Sequence, residues 1–202
     1  MYKKLTVSDS AGSFLILFLL LIIYVVFPVK SSTIDAYGFA FQVKEGVELF
    51  LPHHLLYNYL GFIWVKLLSL FGTFDVLASL KVMNALMATV SLYLLGLVLK
   101  ERGVRISHRL NWLLLVGSTW GVMRFATENE SYLAPILFSL WGSFYFGRYC
   151  SRGNSRDLFL SGTLTAFAAL VHQIHFFWWL GLLMALLFYR KSFVSAIKYT
   201  LP

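Results

Sequence analysis

The chain has 202 residues, 59% of them hydrophobic, 18% aromatic and 13% charged, and a water-soluble core cannot absorb that much apolar side chain. The formal net charge of +8 suggests a nucleic-acid surface, but the basic residues collect in the segments between apolar runs, so the charge is read as a membrane-topology signal with no nucleic-acid partner. With Cys150 as the single cysteine, an intramolecular disulfide is excluded.

A hydrocarbon layer about 30 Å thick takes about 20 mostly apolar residues per helix. Six runs fit that description, at approximately 13–29, 77–99, 110–127, 131–147, 158–171 and 175–189. They are continuous and rich in Leu and Phe, without the alternation of a membrane strand, so the prediction is an all-α polytopic transmembrane bundle filling 1–202 as one domain. Tyr2-Lys3-Lys4 before the first run reads as the start of a retained signal anchor with the amino terminus inside. Residues 30–76 then form a long outer loop. Within it, 54–71 is apolar enough to cross, yet Tyr57, Tyr59, Trp64 and Lys66 are residue types that settle at a membrane boundary, so an interfacial helix is expected. As one helix, residues 158–189 would measure about 48 Å at about 1.5 Å per residue, too long for one crossing. A tight hairpin is expected there, with His172 and His175 at its outer turn. At 192–202 a basic loop gives way to apolar residues, which reads as a fragment of a longer protein with a further span to come.

On this topology Lys3, Lys4, Lys100, Arg102, Arg105, Arg109, Arg148, Arg152, Arg156, Arg190, Lys191 and Lys198 fall inside, as the positive-inside rule asks. Lys30, Lys44, Lys66, Lys81 and Arg124 lie on or towards the other face. The acids divide the opposite way, with Asp35, Glu45, Glu48, Asp75, Glu128 and Glu130 outside and Asp9, Glu101 and Asp157 inside. Ionisable groups near a membrane are costly, so their gathering on the outer face of an apolar protein marks it as the expected place for chemistry.

Four parts of the chain supply candidates. Asp35 can take a proton from an attacking hydroxyl or bind a divalent cation through oxygen. Glu128 and Glu130 bracket Asn129, so at most one of them is expected to point towards Asp35. His53 and His54 are neighbours in sequence, whereas His172 and His175 have the i, i+3 spacing that lets two side chains share one ligand; hydrogen bonding to a phosphate or sugar is preferred to a zinc site. Arg124, near the outer end of a run, can pair with a lipid phosphate or snorkel to the headgroups. There is no P-loop, dinucleotide glycine pattern or Ser-His-Asp motif.

This order resembles the GT-C membrane glycosyltransferases, and within them the protein O-mannosyltransferase and aminoarabinose transferase branch: first helix, early acid, His/Pro-containing interfacial segment, then a second outer loop with another acid. Asp35-Ala36-Tyr37 falls where that branch has an acidic pair followed by a tyrosine, with Ala36 in place of the second acid. Pro52-His53-His54-Leu55-Leu56-Tyr57 is similar to its His/Pro-to-Tyr segment, and Glu128–Pro135 lies where it has an acid close to a proline. The resemblance implies a sugar donor on a polyprenyl phosphate or diphosphate and a lipid, glycan or protein acceptor, with membrane lipids around them. Asp35 would activate the acceptor hydroxyl, assisted by Glu128 or Glu130. Tyr37, His53, His54, Tyr57, Arg124, His172 and His175 would line the substrate and hold the departing phosphate. A divalent metal ion is the one cofactor it leaves open, and the bacterial inner (plasma) membrane, active site outward, is the location it suggests. Two rival readings are a transporter or lipid flippase, which calls for ionisable groups or broken helices at mid-membrane, and a non-catalytic assembly subunit, which would tolerate loss of Asp35.

Overall fold

The computed structural model describes residues 7–188 and 192–201; Tyr2, Lys3, Lys4, Arg190 and Lys191, on which part of the charge pattern rests, lie outside the described residues. Among the described residues the chain is all-helical, as expected, with no strand. The helices are α1 (Val7–Val26), α2 (Ile34–Glu45), α3 (Tyr57–Leu68), α4 (Val76–Glu101), α5 (Ile106–Gly117), α6 (Trp120–Ala126), α7 (Leu133–Arg152), α8 (Ser155–Val171), α9 (Phe176–Phe188) and α10 (Phe193–Thr200). A 3₁₀ turn, Gln173–His175, joins α8 to α9.

Helix α4 is the centre of the bundle. Asp75 starts it by accepting the Ala78 amide at 2.7 Å, and its 26 residues run for about 39 Å. Among the described residues it is the one helix long and apolar enough to cross a membrane, and Ala11–Val26 and Gln173–Phe188 are shorter apolar helices. Its small residues Ala85 and Ala88 let Leu17, Leu20 and Tyr24 of α1 and Leu113 of α5 pack close, in a core that Leu133 of α7 completes. Close approach recurs between α7 and α8, where a Cβ at Gly142 would overlap the Thr165 methyl.

Three segments differ from, or refine, the expected runs. The run 110–127, read as one helix, is two. Ser118 Oγ donates to the Leu114 carbonyl and Thr119 Oγ1 to the Val116 carbonyl, each at 2.7 Å, so the two hydroxyls compete with the helix backbone just after Gly117, a weak helix former. The Tyr24 hydroxyl donates to the Gly117 carbonyl at 2.6 Å and satisfies a group that the break sets free. Between residues 30 and 76 lie two helices, not one: α3 occupies the expected interfacial segment, and α2 precedes it. Thr33 opens α2, Gly46 in the left-handed region (φ 69°) closes it, and Ala36, Phe39, Ala40 and Val43, at i, i+3, i+4 and i+7, make its buried stripe. The hairpin at 158–189 is present. Leu158 at the start of α8 and Leu186 near the end of α9 share one core cluster with Tyr199, so the arms run antiparallel and α10 packs against both.

The bundle therefore has two polar ends. Around Glu101, the α4–α5 turn and the α7–α8 turn lie the cations Lys100, Arg102, Arg105, Arg148, Arg152 and Arg156. Arg152 pairs there with Glu101 at 3.6 Å and Arg148 with Asp157 at 3.5 Å. The other end, about one α4 length away, is built from the starts of α2, α3 and α4, the α6–α7 junction and the α8–α9 turn, and holds Asp35, Glu128, Glu130, His53, His54, His172 and His175.

Candidate functional site

Local capping chemistry fixes the first acid. Thr33 is the N-cap of α2: its hydroxyl accepts the Ala36 amide at 3.1 Å and donates to Glu130 Oε1 at 2.9 Å. Asp35 stands exposed in the first turn of the same helix. Two carboxylates from distant parts of the chain thus flank one helix amino terminus, where unpaired N–H groups and the helix dipole favour negative charge. Burial, followed by the charges of Asp35 and Glu128, pushes the Glu130 carboxyl above the usual carboxylate range, against the opposing bond from Thr33.

Glu128 has a different environment. It is fully buried; its Oε1 accepts the Asn129 amide at 2.9 Å and lies 3.5 Å from Lys81 Nζ, and its Oε2 lies 3.2 Å from Arg124 Nη1. Burial acts to raise its pKa, but the Asn129 amide, Lys81 and Arg124 outweigh it and hold the carboxyl below its usual range. Lys81 also donates to the Val29 carbonyl at 2.7 Å, so the ionised Glu128 ties the end of α1 to α4 and α6. Of the two acids bracketing Asn129, Glu130 faces Asp35 and Glu128 anchors the loop from behind.

A buried chain of amides and one phenol connects these pieces. Asn84 Nδ2 donates to the Glu128 and Glu130 carbonyls at 2.7 and 2.8 Å and approaches the Tyr57 hydroxyl at 3.4 Å. Tyr57 donates to Asn129 Oδ1 at 2.7 Å, and Asn129 Nδ2 donates to the carbonyl of Ala36, the residue after Asp35, at 2.8 Å. Asn84 and Asn129 are fully buried and Tyr57 is nearly so. Burial, the leading cause, pushes the Tyr57 phenol far above its usual range, so it stays a neutral donor.

The histidines come from both sides of a second junction. The α8–α9 turn is stitched to the segment before α3 by two backbone bonds, Gln173 N to His53 O at 3.3 Å and Leu56 N to Leu170 O at 3.1 Å. That stitch sets the His54 and His172 rings edge to face, with centroids 4.4 Å apart, between Phe39 on one side and Tyr132 on the other. His175 lies further along, 6.4 Å from His172, with Nδ1 2.7 Å from Ser139 Oγ. Burial and then the neighbouring imidazoles drive His172 down to about 4. Burial and His53 lower His54 too, with Asp35 partly opposing them. At neutral pH both rings are uncharged and offer N–H donors instead of positive charge.

The structure thus places Asp35 and Glu130 at the start of α2 and His54 against His172 at the α8–α9 junction, linked by Phe39 of α2 packed on His54, with exposed Tyr37 and His53 at the rim. It places two of the expected substrate contacts behind them, because the Tyr57 hydroxyl is spent on Asn129 and the Arg124 guanidinium on Glu128. Thr33, Lys81, Asn84, Asn129 and Ser139 were missed by sequence reasoning. The available signal was Lys81 and Asn84 themselves, polar residues one turn apart in a run of membrane length.

A divalent cation prefers six or more oxygens in this kind of setting. Among the described residues no three His, Cys, Asp or Glu side chains converge to hold a metal, and one oxygen of Glu130 is already bonded to Thr33. These residues form no all-protein cage; a Mg²⁺-type ion would need only one or two of the carboxylates, with waters and the phosphates of a donor as its other ligands. In comparisons with known proteins, no family model, no curated protein and no solved structure matches the chain.

Proposed function

We propose that the chain is a GT-C-type integral-membrane glycosyltransferase that moves a sugar from a polyprenyl-phosphate donor to a hydroxyl of a lipid, glycan or protein acceptor on the outer face of a bacterial inner membrane. The observation that carries this reading is the convergence of exposed Asp35 with Glu130 at the amino terminus of α2, across the 97-residue separation of the Thr33–Glu130 bond. In the proposed step the acceptor oxygen attacks the anomeric carbon while its proton passes to Asp35. The bond from that carbon to the phosphate oxygen breaks, and the phosphate departs with the electron pair. Glu130 orients the acceptor hydroxyl beside Asp35, and the neutral His54 and His172 supply N–H donors to the departing oxygens.

Surface chemistry supports the multi-pass part of the proposal. Phe14, Phe18 and Leu19 on α1 and Phe177 and Phe188 on α9 are 47–71% exposed, an extent of bare apolar surface that suits hydrocarbon and not water. Six crossings would be α1, α4, α5 with α6, α7, α8 and α9, with α2 and α3 at the boundary. A transporter calls for ionisable groups or broken helices at mid-membrane. The α5–α6 junction is a broken helix, and what it lacks is ionisable groups: the break at Ser118–Thr119 has none, and Tyr24 satisfies its freed Gly117 carbonyl.

Sugar transfer from a labelled polyprenyl-phosphate donor, measured with the full chain in vesicles, tests the reading. Asp35→Asn is expected to lower transfer by about 10²–10⁴-fold, the usual contribution of a general base. Transfer at the unsubstituted rate would remove Asp35 from the chemistry.

A further inference from the structure

Glu130 and Asp35 have no covalent reason to stay together, and the segment from Glu128 to Glu130 has no regular secondary structure of its own. Its shape is imposed by side chains. One amide group, Asn84 Nδ2, donates to the carbonyls on either side of Asn129, fixing the peptide units that carry Glu128 and Glu130. The orientation of that amide is set by chemistry: turned over, its oxygen would face two carbonyl oxygens, so the nitrogen must point at them while Oδ1 remains buried without a hydrogen-bond partner. The same nitrogen lies within 3.4 Å of the Tyr57 hydroxyl, whose proton goes to Asn129, whose amide in turn holds the Ala36 carbonyl. The chain of donors runs from the central helix, through the loop, to the residue after Asp35.

We infer that Asn84, acting through Tyr57 and Asn129, is a positioning residue that holds Glu130 in register with Asp35, so that its contribution to catalysis is expressed through Glu130. A donor pair at this point is specific: alanine leaves both carbonyls unbonded in a dry site, and aspartate places an oxygen against them. Lys81 and Arg124 hold Glu128 on the far side of the same loop, so Asn84 controls the part of the loop that faces α2.

The inference rests on the glycosyltransferase reading, and a double-mutant cycle separates the two. Sugar transfer by the full chain in vesicles is measured for Asn84→Ala, Glu130→Gln and the pair, with Asp35→Asn alongside; Tyr57→Phe, which removes one hydroxyl only, serves as the milder probe of the same network should Asn84→Ala fold poorly. Asn84→Ala is expected to lower kcat by up to about 10²-fold, the scale of a 1 Å misplacement, with KM little changed. In the Glu130→Gln background the same substitution, or Tyr57→Phe, is expected to add nothing. An equal fold loss in both backgrounds, or no loss in either, overturns the positioning role while leaving Asp35 in place as the base. If the unsubstituted chain transfers no sugar, the glycosyltransferase reading falls and this inference falls with it. If Asp35→Asn leaves transfer unchanged, Asp35 is removed as the base and the register with Glu130 has no role, which overturns this inference alone.

Discussion

The two polar ends of this bundle use similar residues in different ways. At the basic end Arg148 reaches Asp157 across the short α7–α8 turn, and Arg152 reaches Glu101 with both side chains partly in contact with solvent. At the other end Glu128 is sealed from solvent and held by two cations from different helices, and Asn84, Tyr57, Asn129 and Thr33 bond across 44 to 97 residues of sequence. The first arrangement ties neighbouring helices. The second fixes the relative placement of segments distant in sequence, and it does so beside the carboxylates of Asp35 and Glu130 at the amino terminus of α2.

If burial is what separates the two ends, equivalent lesions should differ in cost. Lys81→Met leaves buried Glu128 with Arg124 alone and frees the Val29 carbonyl, and is expected to cost on the order of 3 kcal/mol, read as a lowered thermal transition in detergent. A loss well below 1 kcal/mol would show that the sealed cluster is not a structural anchor.

Acid should act next, and selectively on the histidine junction. His172 is held at about 4 against an ordinary value of 6.5, and His54 is lowered too, so the unfolded chain binds protons that the folded one refuses. The penalty is absent above about pH 6.5, grows as pH falls, and levels off below about pH 4. Glu128, lowered from 4.5, loses its contribution only below that value; between 4.5 and 6.5 the lowered imidazoles of His54, His172 and His175 act against Glu130 alone, whose raised carboxyl is relieved as it takes up a proton. Thermal stability should fall across that window, and His172→Phe should flatten the fall; an unchanged slope would place the effect elsewhere.

Smallest of all should be Glu101→Gln at the basic end, at no more than about 1 kcal/mol, because its partner Arg152 is 39% exposed and the pair is screened by water. A cost equal to that of Lys81→Met would erase the contrast.

How far the sequence reveals this arrangement depends on whether the signal is local. The long run at 77–99 is nearly the observed α4, and Tyr57, Trp64 and Lys66 mark α3, because hydropathy and residue type are properties of the segment itself. His172 marks the hairpin turn for the same reason. Helix α2 carries a legible i, i+3, i+4, i+7 stripe, but at 12 residues within a polar segment it is too short for a hydropathy window of membrane length to mark. The division of α5 from α6 needed the combined effect of Gly117, Ser118, Thr119 and a tyrosine from α1, which no window over 110–127 contains. Sequence spacing showed that only one of Glu128 and Glu130 would face Asp35; which one depends on Lys81, Arg124 and Asn84, all distant or on the other side of the loop.

In the proposed six-crossing arrangement the acid–histidine end and the basic end face opposite sides of the membrane. Ile34, 89% exposed beside Asp35, and Ser107, exposed in the first turn of α5 at the basic end, offer one reporter each. Ile34→Cys and Ser107→Cys, each combined with Cys150→Ser, are treated in right-side-out vesicles with a membrane-impermeant maleimide. Labelling is expected at position 34 in intact vesicles and at position 107 only after permeabilisation. Labelling of both before permeabilisation, or of 107 alone, would contradict that arrangement.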